Sequence, residues 1–86
     1  MKLKIKEFES LAKRQGYKDG EALFLRLGGG WKTYKSLKRG NQIGYEFVRE
    51  LYNEFGALTM LEVIDLEGET IQSFKSKFVA VGGILY

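Results

Sequence analysis

The chain has 86 residues, of which 44% are hydrophobic and 29% are charged, and it contains no proline, cysteine or histidine. This length allows one small domain with a single core, and this composition is typical of globular proteins rather than disordered ones. The missing cysteine and histidine exclude a disulfide framework, the usual zinc sites and an imidazole base. We therefore expect no metal, no cofactor, no small-molecule substrate and no enzymatic activity.

Charge is divided unevenly along the chain. Residues 1–40 carry eleven Lys and Arg against four Asp and Glu, a net charge of +7, whereas residues 41–86 carry three against seven, a net charge of −4. Such an asymmetry predicts that the N-terminal half meets a polyanion and the C-terminal half does not. The alternative is an uneven surface charge without a partner.

The first ten residues, MKLKIKEFES, are charged throughout and lack the apolar run of a signal peptide. No stretch has the length of apolar residues that a membrane span needs. We expect a cytoplasmic protein that does not contact membranes.

The first predicted helix lies near residues 5–15, where apolar residues recur three and four positions apart and Gly16 follows as a C-terminal cap. Residues 1–6 alternate apolar residues with lysine, which is typical of a short edge strand, a basic arm or a first helical turn. This part of the chain therefore predicts one amphipathic helix, with a strand before it left open.

Two short helices separated by glycines are predicted next. Asp19 is the expected N-cap of the second helix, which Gly28 ends. The third helix starts at residue 30 or 31 and runs to residue 39, with Gly40 as its cap.

The fourth helix has the clearest pattern. Its apolar residues form a wide stripe between Phe47 and Phe55, with Gly44 as an acceptable N-cap and Gly56 at the end. Beyond Gly56, residues 58–66 fit a continuing helix or a strand.

The end of the chain also fits more than one structure. The sequence Glu-Gly-Glu at 67–69 signals a turn. Helical spacing from residue 71 is expected to continue to about residue 79, while residues 77–86 also fit a strand that pairs with the N-terminal segment.

The third helix presents a basic face. Its period of 3.6 residues places Tyr34 and Leu37 inward together. Lysine and arginine on the opposite face donate hydrogen bonds, which phosphates and guanine O6 and N7 accept. We interpret this face as a DNA-reading surface, with a solvated lysine-rich face as the alternative. Its members are Lys32, Ser36 and Arg39, flanked by Lys35, with Trp31 and Thr33 at the edges.

The spacing of apolar residues and glycines over residues 23–40 resembles the helix-turn-helix core of the lambda-repressor-like family, also called Cro/CI or XRE. The segment YEFVRELYNEFG, residues 45–56, similarly resembles the fourth helix of that family. The resemblance covers roughly residues 5–56 and rests on spacing more than on residue identity. The matching positions are Leu23, the turn at Leu27 and Gly28, Tyr34 in place of a buried isoleucine, and Arg39 and Gly40 at the end of the third helix.

The resemblance implies an all-α fold, a compact lambda-repressor-like helix-turn-helix bundle of four to five helices in one domain. Residues 1–56 would form the DNA-binding core. Residues 57–86 would form a C-terminal extension, helical or with a short strand, that completes the core and supplies a dimer surface, because a single recognition helix seldom binds tightly alone. The interface positions predicted there are Phe74, Phe78, Val81 and Leu85.

The resemblance also implies a function. This function is sequence-specific binding of double-stranded DNA by a small transcriptional regulator of phage or mobile-element type. The protein would act as a homodimer, with the helix over residues 31–39 in the major groove. The base-reading positions would be Trp31, Lys32, Thr33, Lys35 and Ser36. Phosphate contacts would come from Lys18, Lys38, Arg39, Asn41, Gln42 and Tyr45.

A different class of function stays open beside this one. The same helix-turn-helix scaffold could bind another protein, as an antirepressor or assembly factor, without touching DNA, because a fold does not determine a function.

Two departures from the family pattern lie at the turn. Phe24 stands where the family has a small alanine, and Gly29 stands where an apolar residue closes the turn. We expect a size exchange in which the Phe24 ring fills the space beside Gly29. Trp31, which follows the three glycines, has two interpretations. It contacts a thymine methyl or the sugar-phosphate rim, or its ring closes the glycine turn.

Overall fold

Short helices make up most of the part of the chain that the computed structural model describes, residues 1–80 and 82. These described residues are 65% helical and form six helices and one two-stranded antiparallel sheet. The expected all-α bundle with a short strand is confirmed, and it has six helices rather than four to five because the C-terminal extension forms two. In chain order the elements are β1 (Lys2–Leu3), α1 (Ile5–Arg14), α2 (Gly20–Arg26), α3 (Trp31–Lys38), α4 (Tyr45–Phe55), α5 (Ala57–Val63), β2 (Ile64–Asp65) and α6 (Ile71–Ala80).

The first four helices follow the local signals in the sequence. The Asp19 carboxylate accepts a hydrogen bond from the Ala22 backbone N–H at 2.9 Å and caps α2, as predicted. Gly28 and Gly40 follow α2 and α3 with a φ of +94° each, a left-handed conformation that costs glycine little. These signals limit α2 and α3 to seven and eight residues. Over the described residues, no helix combines the length and the apolar character that crossing a bilayer requires.

The N-terminal segment forms an edge strand, which is one of the structures that its alternation predicts. β1 pairs antiparallel with β2, with Lys2 opposite Asp65 and Leu3 opposite Ile64. Leu3 and Ile64 are both buried, so the pairing carries one side chain from each strand into the core. Of the two structures left open for residues 77–86, the described part 77–80 is helical and belongs to α6.

The assignment of Phe74 and Phe78 to a dimer surface is wrong, because both side chains lie in the core and are 1% and 0% exposed. Their rings stack on each other with centroids 5.5 Å apart, and Phe78 packs edge-on against Tyr52 of α4 at the same distance. A helix that packs on its own domain and one that packs on a second copy share the same apolar spacing, so periodicity does not separate them. Val81 and Leu85 lie outside the described residues.

An aromatic ring fills the glycine turn between α2 and α3. A Cβ atom built on Gly29 would overlap the Phe24 ring, so the ring can lie there only beside glycine. Phe24 is buried and packs against Phe47 and Tyr34, with ring centroids 4.6 and 5.2 Å away. This geometry supports the predicted size exchange between Phe24 and Gly29.

α6 is held to the start of α4 by a polar contact. The Tyr45 hydroxyl donates a hydrogen bond to Glu69 Oε1 at 2.6 Å, and the Lys77 ammonium lies 3.4 Å from the same oxygen. Burial, together with this hydrogen bond, raises the pKa of Tyr45 to about 12. The hydrogen bond from Tyr45 holds the pKa of the Glu69 carboxyl below its ordinary value. The turn before α6 is thus joined to α4 through a carboxylate that the fold keeps ionised.

We expect Gly29→Ala to lower the free energy of unfolding by about 1–3 kcal/mol through overpacking. Phe24→Ala should lower it by about 3–5 kcal/mol through the cavity that it leaves. In the Phe24→Ala background, Gly29→Ala should cost much less because the overlapping ring is gone. Urea unfolding of the single and double variants measures this coupling.

Gly30→Ala is the matched control for that series. Apart from its chain neighbours, no atom of the described residues lies within 4 Å of a Cβ at Gly30, so this variant should not overpack and should cost only about 1 kcal/mol, because alanine is a poorer N-cap than glycine. Strictly additive losses for Phe24→Ala and Gly29→Ala would contradict the size exchange.

The Tyr45–Glu69 contact predicts a loss of stability in acid. Because the pKa of Glu69 in the folded protein lies below its ordinary value of 4.5, its contribution is present above pH 4.5 and is lost as the pH falls through the folded pKa. In Tyr45→Phe this fall in unfolding free energy should be shallower, since the folded pKa moves back towards 4.5. Urea unfolding at a series of pH values tests this, with Tyr52→Phe as the control that keeps the full acid dependence.

Candidate nucleic-acid interface

α3 has one buried face and one exposed face. Tyr34 and Leu37 point inward, 2% and 4% exposed, which confirms the predicted orientation of the helix. The residues on the outer surface of the helix and its C-cap are Trp31, Lys32, Thr33, Lys35, Lys38 and Arg39.

The Glu9 carboxylate of α1 links α3 to α1 and to the start of α2 through hydrogen bonds. Its Oε1 accepts a hydrogen bond from the Tyr34 hydroxyl at 2.6 Å, and its Oε2 accepts one from the Gly20 backbone N–H at 2.7 Å. Gly20 is the first residue of α2, so one carboxylate connects three helices. Burial and the hydrogen bond to Glu9 raise the pKa of Tyr34, which therefore stays protonated and donates. A Cβ atom at Gly20 would overlap the Tyr34 hydroxyl, so this contact also requires glycine there.

Sequence reasoning missed Glu9. A signal for it exists, because Tyr34 occupies an inward position where the resembled family has an apolar residue. A buried tyrosine hydroxyl needs a hydrogen-bond partner, and an acid on a neighbouring helix can supply one. The sequence does not indicate which acid, since Glu9 and Tyr34 are 25 positions apart.

The outer face of α3 carries positive charge without acidic neighbours in contact. Within residues 1–80 and 82, Lys32, Lys35, Lys38 and Arg39 form no ion pair, and α3 itself contains no acidic residue. The Lys35 and Lys32 ammonium nitrogens lie 4.9 and 5.7 Å from the centre of the Trp31 ring, within cation–π range. The arrangement leaves all four cations able to reach an anionic partner.

Four of the predicted base-reading residues lie together on this surface, namely Trp31, Lys32, Thr33 and Lys35. The fifth differs. Ser36 is half-buried, and its hydroxyl oxygen accepts a hydrogen bond from Asn41 Nδ2 at 2.6 Å. The assignments of Ser36 to bases and of Asn41 to phosphates stay predictions. The two side chains bind each other across the end of α3.

Two further residues predicted to contact phosphates, Gln42 and Tyr45, have side chains that are hydrogen-bonded to acidic residues. Gln42 Nε2 donates to Glu67 Oε1 at 3.0 Å, and Gln42 Oε1 accepts from the Met1 amino group. The Tyr45 hydroxyl donates to Glu69. The β1–β2 pairing brings the acidic turn beside the start of α4, which the local sequence around Gln42 and Tyr45 does not reveal.

The remaining predicted phosphate residues keep the exposure that such contacts need. Lys18 is exposed in the loop before α2, and Lys38 and Arg39 are exposed at the end of α3. Lys38 also extends over the Tyr34 ring, 5.7 Å from its centre. Lys38 and Arg39 follow the predicted base-reading residues of α3 directly in the sequence, whereas Lys18 lies before α2.

An open groove of about 520 Å³ separates the glycine turn from α4. Thr33 of α3 lines one side, and Glu46 and Glu50 of α4 line the other. Arg49 of α4 lines the same groove, and its guanidinium lies 3.5 Å from Glu50 Oε1, so a cation partly balances the two acids there. Among the described residues, no group of three or more acidic side chains could hold a metal ion.

No protein-family model matches this chain, and neither a curated protein nor a solved structure matches it. The resemblance to the lambda-repressor-like family therefore stays a prediction.

We expect Glu9→Gln to lower the free energy of unfolding by about 1–3 kcal/mol, because one of the two donors loses its acceptor in a part-buried site. Glu7→Gln on the same helix is the matched control, since Glu7 is exposed. Urea unfolding compares the two variants. Equal stability of Glu9→Gln and Glu7→Gln would contradict the role of the Glu9 carboxylate.

Proposed function

We propose that this protein binds double-stranded DNA in a sequence-specific manner and acts as a small transcriptional regulator. The outer face of α3 carries the proposal. Lys32, Lys35, Lys38 and Arg39 are exposed there, and within the described residues they form no ion pair. Four cations on one short helix repel one another, and a polyanion relieves that repulsion.

This face combines positioning charge with groups that can read bases. Phosphate contacts position a protein on a duplex, and contacts to base edges in the major groove give sequence preference. Trp31, Lys32 and Lys35 lie in the first turns of α3, the part of a recognition helix that meets base edges. Lys38 and Arg39 lie at its end and would contact phosphates.

We also propose that the protein binds as a homodimer on a near-palindromic site and belongs to the phage or mobile-element type of regulator, as the family resemblance implies. A single α3 covers few base pairs, and two copies about one helical turn apart would double the number of contacts. Because Phe74 and Phe78 lie in the core, the dimer would use other residues, of which Val81 and Leu85 stay predicted.

A protein-interaction module is the second candidate. Leu25 of α2 and Trp31 of α3 are each 49% exposed, and tryptophan is enriched among the residues that dominate protein interfaces. Apolar contacts of this kind depend little on salt, whereas DNA binding releases counterions and weakens steeply as salt increases. Salt dependence therefore separates the two candidates.

We expect affinity for a duplex from the gene's own upstream region to fall with salt, with a slope of about −0.9 per phosphate contact in a double-logarithmic plot. Lys38→Ala/Arg39→Ala should weaken binding to all duplexes alike and reduce that slope by about 2. Fluorescence anisotropy of labelled upstream and random duplexes across a salt series measures both effects.

Lys13→Ala/Lys75→Ala is the control, because it removes the same charge from exposed positions on α1 and α6 and should leave the slope unchanged. An equal reduction in both double variants would mean that net charge rather than α3 drives binding. No binding to either duplex at low salt would contradict the proposal and favour the protein-interaction candidate.

A further inference from the structure

We propose that Trp31 contacts the methyl group of a thymine and that Lys35 beside it binds the guanine of an adjacent base pair. The inference rests on the proposed DNA-binding function and adds the base pairs that α3 would prefer. It concerns the Trp31 ring and the two ammonium groups that lie next to it.

Trp31 is the first residue of α3, and its side chain is 49% exposed. It is the only aromatic residue among the large hydrophobic residues exposed in residues 1–80 and 82. The buried aromatic residues of this region pack on one another, as Phe24, Phe47 and Tyr34 do. The Trp31 ring therefore carries an exposed apolar surface that a partner can cover.

Closing the glycine turn does not account for Trp31. The three nearest atoms to a Cβ at Gly29 all belong to Phe24, and apart from its chain neighbours no described residue comes within 4 Å of a Cβ at Gly28. Phe24 fills the turn, so the second interpretation of Trp31 in the sequence loses its basis. The exposed ring is left with a role at the surface.

Two cations accompany the ring. The Lys35 ammonium nitrogen lies 4.9 Å and the Lys32 nitrogen 5.7 Å from the ring centre. Cation–π attraction keeps both groups beside the ring without pairing them to an acid. Successive base pairs are about 3.4 Å apart along the duplex axis. A cation about 5 Å from the ring centre can therefore reach the base pair next to the one that the ring touches.

The chemistry of this surface selects among bases. The thymine methyl is the apolar group that a base edge presents in the major groove, and an indole ring suits it. Guanine offers two acceptors, O6 and N7, which a lysine can bind. Adenine N7 and thymine O4 offer a lysine one acceptor each, against two on guanine, while adenine N6 and cytosine N4 are donors from which a lysine cannot accept. The surface therefore favours a T·A pair beside a G·C pair.

The test starts with selection of duplexes from a random pool by the full-length protein. In the selected duplex, deoxyuridine then replaces each thymidine in turn, which removes only the methyl group. We expect one replacement to weaken binding about four-fold, the effect of one buried methyl group. Replacing the neighbouring guanine by 7-deazaguanine, which lacks the N7 acceptor, should weaken it at least about five-fold.

The variants assign these effects to residues. In Trp31→Ala the deoxyuridine effect should vanish, and in Lys35→Ala the 7-deazaguanine effect should vanish. Leu58→Ala and Lys75→Ala are the controls, since they remove an exposed apolar side chain and an exposed cation elsewhere and should keep both effects. Circular dichroism checks that each variant is folded.

The outcomes separate this inference from the function on which it rests. If the selected duplex binds in a salt-dependent way but no deoxyuridine weakens it, or if Trp31→Ala keeps the deoxyuridine effect, the inference is overturned and the DNA-binding function is not. If the pool yields no enriched duplex and no salt-dependent binding, the proposed function fails and the inference fails with it.

Discussion

The arrangement of the first three helices depends on one carboxylate, that of Glu9. Its two oxygens accept hydrogen bonds from the Gly20 N–H at the start of α2 and from the Tyr34 hydroxyl on α3. Hydrogen bonds to a charged acceptor are stronger than neutral ones, and these two lie in a part-buried site. α3 cannot turn about its axis without breaking the contact with Tyr34. This contact therefore adds to the burial of Tyr34 and Leu37, which already directs Trp31 and the lysines outward.

The turn into α3 is ordered by packing rather than by capping. Gly30, the N-cap of α3, offers no side chain to bond the first N–H groups, and three consecutive glycines lose much backbone entropy on folding. The Phe24 ring compensates because it lies against Gly29 and packs on Phe8 and Phe47, with ring centroids 6.5 and 4.6 Å away. An aromatic cluster thus replaces the small residues and the polar cap that are usual at such a turn.

The charge asymmetry along the chain reflects two different uses of charge. Acids of the C-terminal half contribute to internal contacts: Glu67 accepts from Gln42 and lies 3.5 Å from the Lys2 ammonium, and Glu69 accepts from Tyr45. The cations of α3 have no such partners among the described residues. Glu67 and Glu69 therefore link β1 and the turn before α6 to the start of α4, while the cations of α3 face outward.

The sequence by itself determined the features that depend on residues within one or two turns of each other. These are the positions of α1 to α4, the Asp19 cap, the glycine helix ends and the inward direction of Tyr34. The tertiary structure alone decided the Glu9 contact and the pairing of residues 2–3 with 64–65. It also decided the hydrogen bonds of the Gln42 and Tyr45 side chains to Glu67 and Glu69. It also decided that Phe74 and Phe78 belong to the core. Each of these depends on residues that are 11 to 63 positions apart or on neighbouring helices. An apolar period shows which side of a helix is covered but not what covers it.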